Sequence, residues 1–406
     1  MLQPTTRIKI ALYINYFVFA ILLNSVGIVI LKSQNNYGVD EVQASTLELF
    51  KDLPIAIVSF LVASFLPRLG YKKAMLIGLG IVTVAALGMF AGNSFWAAKL
   101  LFLSVGASFA LIKVSVYSTI GLLSADQHEH NSLMSSIEGF FMFGITFAYF
   151  LFPAFNREGS PDAWLNVYLV LALLSALSFL FLFTSKFEKD AEIPGASIKE
   201  DFQEMVALMA KSLVLIFVIS ALFYVMVEQG IMTWLPTFNE KVLKLPENLA
   251  IMMTAVLTIS FGLGRLFAGI LVKKISWYRV VLVSMLLAMA MVVFVLPKAI
   301  NAHIGDVQSF TDIPLIGYAF PIVGLFLAPV YPLINSAVLS ALPKKLHSPM
   351  AGLIIIFSAI GGTLGSRLIG YLFKNVGGEN AFMYTLIPMV LLLVALTALN
   401  RLTRTQ

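Results

Sequence analysis

The sequence predicts an all-α membrane protein: twelve transmembrane helices arranged as two six-helix halves. Three observations predict it. Of 406 residues, 59% are apolar and only 12% charged, whereas soluble domains carry about a quarter charged residues. Twelve apolar runs approach the ~20 residues a helix needs to cross a hydrocarbon core. One long polar stretch, 185–211, separates six of these runs from the other six.

Taken in order, the runs are 10–31, 46–66, 74–92, 96–123, 133–153 and 165–183, then 213–235, 250–272, 280–296, 313–342, 351–373 and 382–399. The first is too long for a signal-peptide core and has no small-x-small cleavage site, so it reads as a retained span. The second carries Glu48, Lys51 and Asp52 just before Pro54, the fourth Lys113 and the fifth Glu138. The seventh carries Glu228, the eighth Arg265 and the eleventh Arg367. In the tenth, Pro329 and Pro332 remove backbone donors, so that helix should be broken. These runs divide the chain into an N-terminal bundle over 1–184, a linker over 185–211 and a C-terminal bundle over 212–406.

Orientation follows from the connectors. With the N-terminus inside, sixteen lysines and arginines fall in inner segments and seven in outer ones. Positive charge accumulates on the cytoplasmic side, so both termini should be cytoplasmic, in a plasma membrane of the bacterial inner-membrane type. In the linker, Ile198, Phe202, Met205, Val206 and Met209 recur at helical spacing opposite Lys199, Glu200, Asp201 and Glu204. That pattern predicts an amphipathic helix on the inner membrane surface, or a simple tether between the halves.

The composition also excludes classes. There is no cysteine, hence no disulfide and no thiolate metal site. The net charge of +6 is spread over short connectors, which argues topology and not nucleic-acid binding. No phosphate-binding loop is present, Gly262-x-Gly264 reads as helix packing, and His128 and His130 read as a solvated pair. Neither an enzyme, a metal site nor a bound cofactor is expected. The expected partners are a small-molecule substrate and the bilayer, with the chain a monomer.

Ionisable residues at membrane depth cost roughly 2.5–3.5 kcal/mol each at a helix centre and usually serve a function. Glu48, Lys51 and Asp52 share one helix face at i, i+3 and i+4, so Lys51 can pair with Glu48. That leaves Asp52 for another partner, with Lys113 a candidate. Lys113 itself reads as a cradle for an anionic group or a coupling charge, or else as a fixed ion pair to Glu138 or Asp52. Glu138, in the first turns of its helix, reads as an inner-side gate residue or an ion-pair partner. Glu228, placed toward the outer part of its helix, has Gln229, Gly230 and Pro236 beside it, which should weaken the helix there. Asn335, Tyr331 and Ser336 form a polar face after the prolines. Asn24 is a polar contact in the first span. Tyr117, Phe140, Tyr224 and Trp234 could stack on a sugar ring, or pack as ordinary helix contacts. Arg367 reads as a snorkelling side chain.

The halves repeat. Ala63-Ser-Phe-Leu-Pro-Arg-Leu-Gly-Tyr-Lys-Lys73 follows the second span, and Ala268-Gly-Ile-Leu-Val-Lys-Lys-Ile-Ser-Trp-Tyr-Arg279 follows the eighth. Two such halves are the architecture of secondary transporters. The whole chain resembles the major facilitator superfamily. Leu66-Pro-Arg-Leu-Gly-Tyr-Lys-Lys73 resembles its signature loop without the usual acid, and Gly262-Leu-Gly-Arg265-Leu-Phe-Ala-Gly269 resembles the C-terminal counterpart. The resemblance implies a charge-relay lock at the inner gate for Arg265.

Within the superfamily, Tyr224-Val-Met-Val-Glu228-Gln-Gly-Ile-Met-Thr-Trp234-Leu-Pro236 resembles the seventh helix of the fucose–proton symporter group. Gly361-Gly-Thr-Leu-Gly365 with Gly370-Tyr-Leu372 resembles its eleventh. That group carries an Asp in helix one and a Glu in helix four. Here Asn24-Ser-Val-Gly27 has no acid and Lys113 stands at the helix-four position, so neither fucose nor the group's proton relay carries over. The resemblance implies transport of a small polar solute, a sugar or a charged sugar derivative, coupled to protons, with a sodium gradient as the other possible drive. A proton-driven drug or metabolite exporter is the alternative, although Glu138-Gly-Phe-Phe-Met-Phe-Gly144 lacks a Gly-Pro pair. A non-transporting receptor is a second alternative.

Overall fold

A computed structural model describes residues 4–124, 126–157, 159–185, 198–302, 307–343 and 346–404. The first part of the linker (186–197), the side chain of His128, and Lys344 and Lys345 lie outside the described residues. The helices, in chain order, are α1 (Pro4–Asn24), α2 (Val26–Tyr37), α3 (Glu41–Ala44), α4 (Thr46–Leu69), α5 (Tyr71–Gly92), α6 (Phe95–Leu123), α7 (Gln127–Ala154), α8 (Val167–Thr184), α9 (Ile198–Met209) and α10 (Ser212–Lys241). They continue with α11 (Glu247–Leu271), α12 (Trp277–Ala290), α13 (Leu296–Ile300), α14 (Leu315–Ala319), α15 (Val323–Leu327), α16 (Val330–Ser340), α17 (His347–Val376), α18 (Gly378–Ala381) and α19 (Leu386–Arg404). Among the described residues the only extended pairing is one isolated bridge, Arg157 to Ser160.

Eleven helical stretches among the described residues are long and apolar enough to cross a membrane. The remaining predicted span is α4, a helix of 24 residues whose first half carries Glu48, Lys51 and Asp52. The fold is the all-helical membrane bundle that the sequence predicts.

The contacts sort the chain into two units: Met1–Val29 with Leu47–Glu200, and Ile30–Thr46 with Asp201–Gln406. In the first unit, α5 packs on α6 and α8, and α1 packs on α7 and α8. Ser178 Oγ donates to Ala11 O at 3.0 Å, tying α8 to α1. On α6, Gly106 lies so close to α4 that a Cβ there would stand 2.2 Å from Lys51 O. The backbone of the charged α4 segment is therefore clamped against α6.

In the second unit α10 runs along α17. A Cβ on Gly361 would lie 2.5 Å from Leu222 O, and one on Gly365 would lie 2.1 Å from Met226 O. Small residues let two backbones approach this closely inside a bilayer. Trp234 Nε1 donates to Ser366 O at 2.9 Å along the same seam. The tenth span is broken, as its prolines require: α14, a tight turn Phe320–Ile322, α15 and α16 succeed one another past Pro321, Pro329 and Pro332. The ninth widens into a π-helical turn, Met291–Val295, before Pro297.

The structure corrects several expectations. The first run does not end at 31, because Ser25 N donates to Ile21 O at 2.9 Å and Val29 N to Ser25 O at 2.9 Å. Helix therefore continues through α2 to Tyr37, and its last turns belong to the second unit. Pro236 and Gly230 do not interrupt α10, which is continuous over 30 residues. Gly230 instead gives room to Ile369, whose Cγ1 would be 3.2 Å from a Cβ. The fifth span begins at Gln127, capped by Asp126, whose side chain accepts from Glu129 N at 2.7 Å. Glu138 thus lies about three turns into its helix, not in its first turns. The linker helix α9 buries Met205 and Leu208 and exposes Val206. Met205 Sδ lies against Gly352 of α17.

Candidate functional site

In the first unit, α6 and α7 bring a lysine and a glutamate together through a tyrosine. Tyr117 OH donates to Glu138 Oε1 at 2.6 Å. One turn earlier on α6, Lys113 Nζ stands 5.8 Å from the ring centre of Phe109 and 6.0 Å from that of Tyr117. Among the described residues no carboxylate comes within 4.0 Å of Lys113. Tyr16, on α1, packs with its ring centre 6.2 Å from Tyr117. Lys113, Tyr117 and Glu138 are each only partly buried. Aromatic faces attract the ammonium.

Glu48, Lys51 and Asp52 form a different kind of cluster. Lys51 Nζ pairs with Glu48 Oε1, as the i, i+3 spacing predicts, and lies 3.6 Å from Asp52 Oδ1. Glu48 is fully buried, and Lys51 and Asp52 nearly so. The expectation that Asp52 reaches Lys113 is corrected: Asp52 joins Lys51 on its own helix, and the charge facing Lys113 is that of Glu138.

In the second unit, α10, α11, α16 and α17 converge. Glu228 is the seventeenth of the 30 residues of α10, at its middle and not toward its outer part. Tyr224 OH, one turn earlier, donates to Glu228 Oε1 at 3.0 Å, and Arg265 Nη2 of α11 lies 3.8 Å from the same oxygen. Arg265 therefore has a partner deep in its own bundle, a relationship the inner-gate expectation did not contain. Tyr331 stacks on Tyr224 with ring centres 5.5 Å apart and shares a 2.9 Å hydrogen bond with Ser358 of α17. Asn335, one turn past Tyr331, has a buried Oδ1 without a partner among the described residues.

The remaining sequence candidates fall outside these clusters. Asn24 Nδ2 donates to Ala20 O at 2.9 Å, on its own helix. Trp234 is buried in the seam between α10 and α17. Phe140 is half exposed and meets Tyr13 edge-on at 4.9 Å. Arg367 does not simply snorkel, since its Nη1 donates to Val42 O at 3.3 Å. His130 lies in α7 and, among the described residues, no cluster of metal-ligating side chains exists.

Sequence reasoning missed two features. One is Asn15-Tyr16 on α1, where Asn15 is fully buried with neither side-chain atom partnered among the described residues. Two polar side chains in mid-run were the available signal. The other is a cluster around the end of α2: Lys32 pairs with Glu247, Asn35 Nδ2 donates to Glu240 Oε1 at 2.8 Å, and Lys241 Nζ donates to Glu41 Oε1 at 2.9 Å. No sequence signal existed, because these partners are 200 to 215 residues apart.

Membrane-length helices in two units, each with a partly accessible polar cluster at mid-helix, define a multi-pass membrane protein of the transporter type. The model of the Major Facilitator Superfamily matches residues 12–366, and the chain belongs to that superfamily. No curated protein sequence matches it. Solved structures agree in fold. A bacterial homolog of the human lysosomal transporter Spinster, inward-facing and occupied, has a TM-score of 0.76 at 13% identity, over 99% of this chain and 98% of that one. The nucleoside transporter NupG has 0.75 at 15%, over 98% and 99%. The E. coli fucose–proton symporter FucP, in a single-substitution form, has 0.64 at 15%, over 98% and 99%.

Proposed function

We propose that the protein is a secondary transporter that moves a small polar solute, a sugar or a charged sugar derivative, by alternating access. No cofactor or enzymatic step is involved, and a proton or sodium gradient drives the cycle. It acts as a monomer in a bacterial-type inner membrane, with both termini cytoplasmic. The observation that carries this reading is Lys113, an ammonium at mid-helix, partly accessible and without a carboxylate within 4.0 Å among the described residues. A structural ion pair would bury and match its charge. An unmatched one offers its charge to an anionic group of the solute.

Solute contact is proposed for Lys113, Glu138 and Tyr117 of the first unit. In the second unit by itself, Glu228 with Arg265, and Tyr331 with Asn335, are the candidate polar contacts. Tyrosines beside carboxylates suit a polyhydroxylated ring, which needs flat apolar faces and hydrogen-bond acceptors together. Glu48, Lys51 and Asp52 form a network of two carboxylates around one ammonium; they serve coupling or the integrity of α4, and direct contact with the solute is assigned elsewhere.

The test is thermal stabilisation of the purified chain across neutral sugars, amino sugars, sugar acids and small organic anions. A ligand that binds the folded state alone raises its melting temperature according to concentration over Kd. Stabilisation by an anionic sugar, absent in Lys113→Ala, supports the reading. Stabilisation by neutral sugars alone, retained in Lys113→Ala, removes Lys113 from solute binding, and silence across the panel favours an exporter.

A further inference from the structure

A cavity lies wholly within the second unit, away from the groups just described. It measures about 790 Å³, and its lining includes Ser276 and Trp277 at the start of α12, Ser336 and Ser340 on α16, and Asn400 on α19. It uses a different stripe of α16 from Tyr331 and Asn335, since Leu333, Ser336, Ala337 and Ser340 recur at i, i+3, i+4 and i+7. Nothing in the transport reading needs it.

Four features of this cavity select an anion. Asn400 lines it, is only 9% exposed, and its carboxamide makes no hydrogen bond among the described residues. The N-terminus of α12 opens onto the same space: Ser276 makes no side-chain cap, and the first intrahelical bond is Val280 N to Ser276 O at 3.2 Å. The amides of the first turn are therefore unspent, and a helix N-terminus carries partial positive charge. Lys273, Lys274 and Arg279 flank it, all exposed, and no carboxylate among the described residues lines the cavity. Finally, Val272 and Ile275 in its lining expose 37% and 39% of their surface, an apolar border on which hydrocarbon can lie.

We infer that this cavity binds a phosphate group, held by Asn400 Nδ2, Ser276 Oγ and the first-turn amides of α12, and that its source is the headgroup of an anionic phospholipid. Unpaired amides at a helix N-terminus are a phosphate-binding arrangement. Basic pockets between membrane helices suit anionic headgroups. The exposed apolar rim favours a lipid over a soluble phosphate.

Native mass spectrometry of the full chain, titrated with phosphatidylglycerol, phosphatidylcholine or inorganic phosphate, tests the inference. One phosphatidylglycerol per chain should outlast phosphatidylcholine. Asn400→Leu keeps the shape and removes the donors, and should weaken that retention at least ten-fold. Lys273→Gln/Lys274→Gln, at exposed positions that leave the core untouched, should weaken it as well. Should Asn400→Leu fail to fold, Ser276→Ala in the same assay removes a hydroxyl without touching the core and should also weaken retention. Inorganic phosphate competing with the lipid through Asn400 would support the phosphate site and assign it a soluble source. Equal retention of both lipids, or retention unchanged by Asn400→Leu and by the lysine pair, would overturn it.

Discussion

Lys32, near the end of α2, forms an ion pair with Glu247 at the start of α11, 215 residues further along the chain. Asn35, one turn later on α2, donates to Glu247 Oε2 at 2.9 Å, and Lys374 Nζ donates to Asp40 Oδ2 at 2.8 Å. Together with the Arg367 bond to Val42 O, these contacts fasten segment 30–46 to α10, α11 and α17. A segment that belongs by sequence to the first half is held by charges of the second.

That arrangement is open to charge exchange. Lys32→Glu alone gathers like charge around Asn35 and Glu240, and should lower the melting temperature clearly. Breaking a mostly buried pair costs about 3–5 kcal/mol. The exchange Lys32→Glu/Glu247→Lys should recover most of the loss. A double variant no more stable than the single one would show that the pair contributes nothing specific.

Lys113→Ala should abolish solute-induced stabilisation and uptake while leaving expression and fold unchanged, because the lysine makes no ion pair within 4.0 Å among the described residues. Tyr117→Phe should weaken binding less, since it frees Glu138 and keeps the ring. Uptake at the normal rate in Lys113→Ala liposomes would remove the residue from the mechanism.

Arg265→Met leaves the partly buried Glu228 with Tyr224 but without its cation. The cost should be about 1–2 kcal/mol, below the value for a fully buried pair because Arg265 is 44% exposed. Adding Glu228→Gln should restore stability, since the stranded charge disappears, yet should not restore transport. Denaturant melts with a flux assay on the same proteoliposomes separate the two effects, and a double variant that transports would show the pair to be structural only.

Gly365→Ala forces a methyl group onto Met226 O, and α10 must move away from α17. Overpacking of this kind costs about 1–3 kcal/mol. Gly139→Ala, where nothing lies within 4 Å, is the control and should be neutral. Equal melting temperatures for the two variants would show that the seam accommodates the group.

Asp40 provides a pH test outside the membrane spans. The Lys374 ammonium and the Gln43 amide hold its carboxyl below the usual carboxylate range. A lowered folded-state value gives stability above the unfolded value near 3.9 that is lost as pH falls through the folded one. The pair is solvent-exposed, so its contribution is small. The difference in stability between the native chain and Asp40→Asn should stay constant from about pH 8 to 5 and shrink below about pH 4. A difference that shrinks between about pH 7 and 5 would contradict the assignment.

Much of the fold was legible because its causes are local. Membrane-length runs, proline breaks in the tenth span and the i, i+3 pairing of Glu48 with Lys51 follow from composition and helix geometry alone. The sites were legible in part, since a charge within an apolar run announces itself through its desolvation cost. Which charges meet was not legible. Asp52 turned to Lys51 and not to Lys113, and Arg265 reached Glu228.

The sequence by itself determined the class of fold, the number of spans and the short list of costly residues, because each is a property of single helices in lipid. The tertiary structure alone decided that Lys113 lies beside Tyr117 and Glu138, that Lys32 belongs with Glu247, and that Asn400 opens onto a cavity. Those facts depend on which helices pack together. Glycines such as Gly106 and Gly365 bring chosen backbones within a few ångströms, while the charges themselves act over distances too short to be read along the chain.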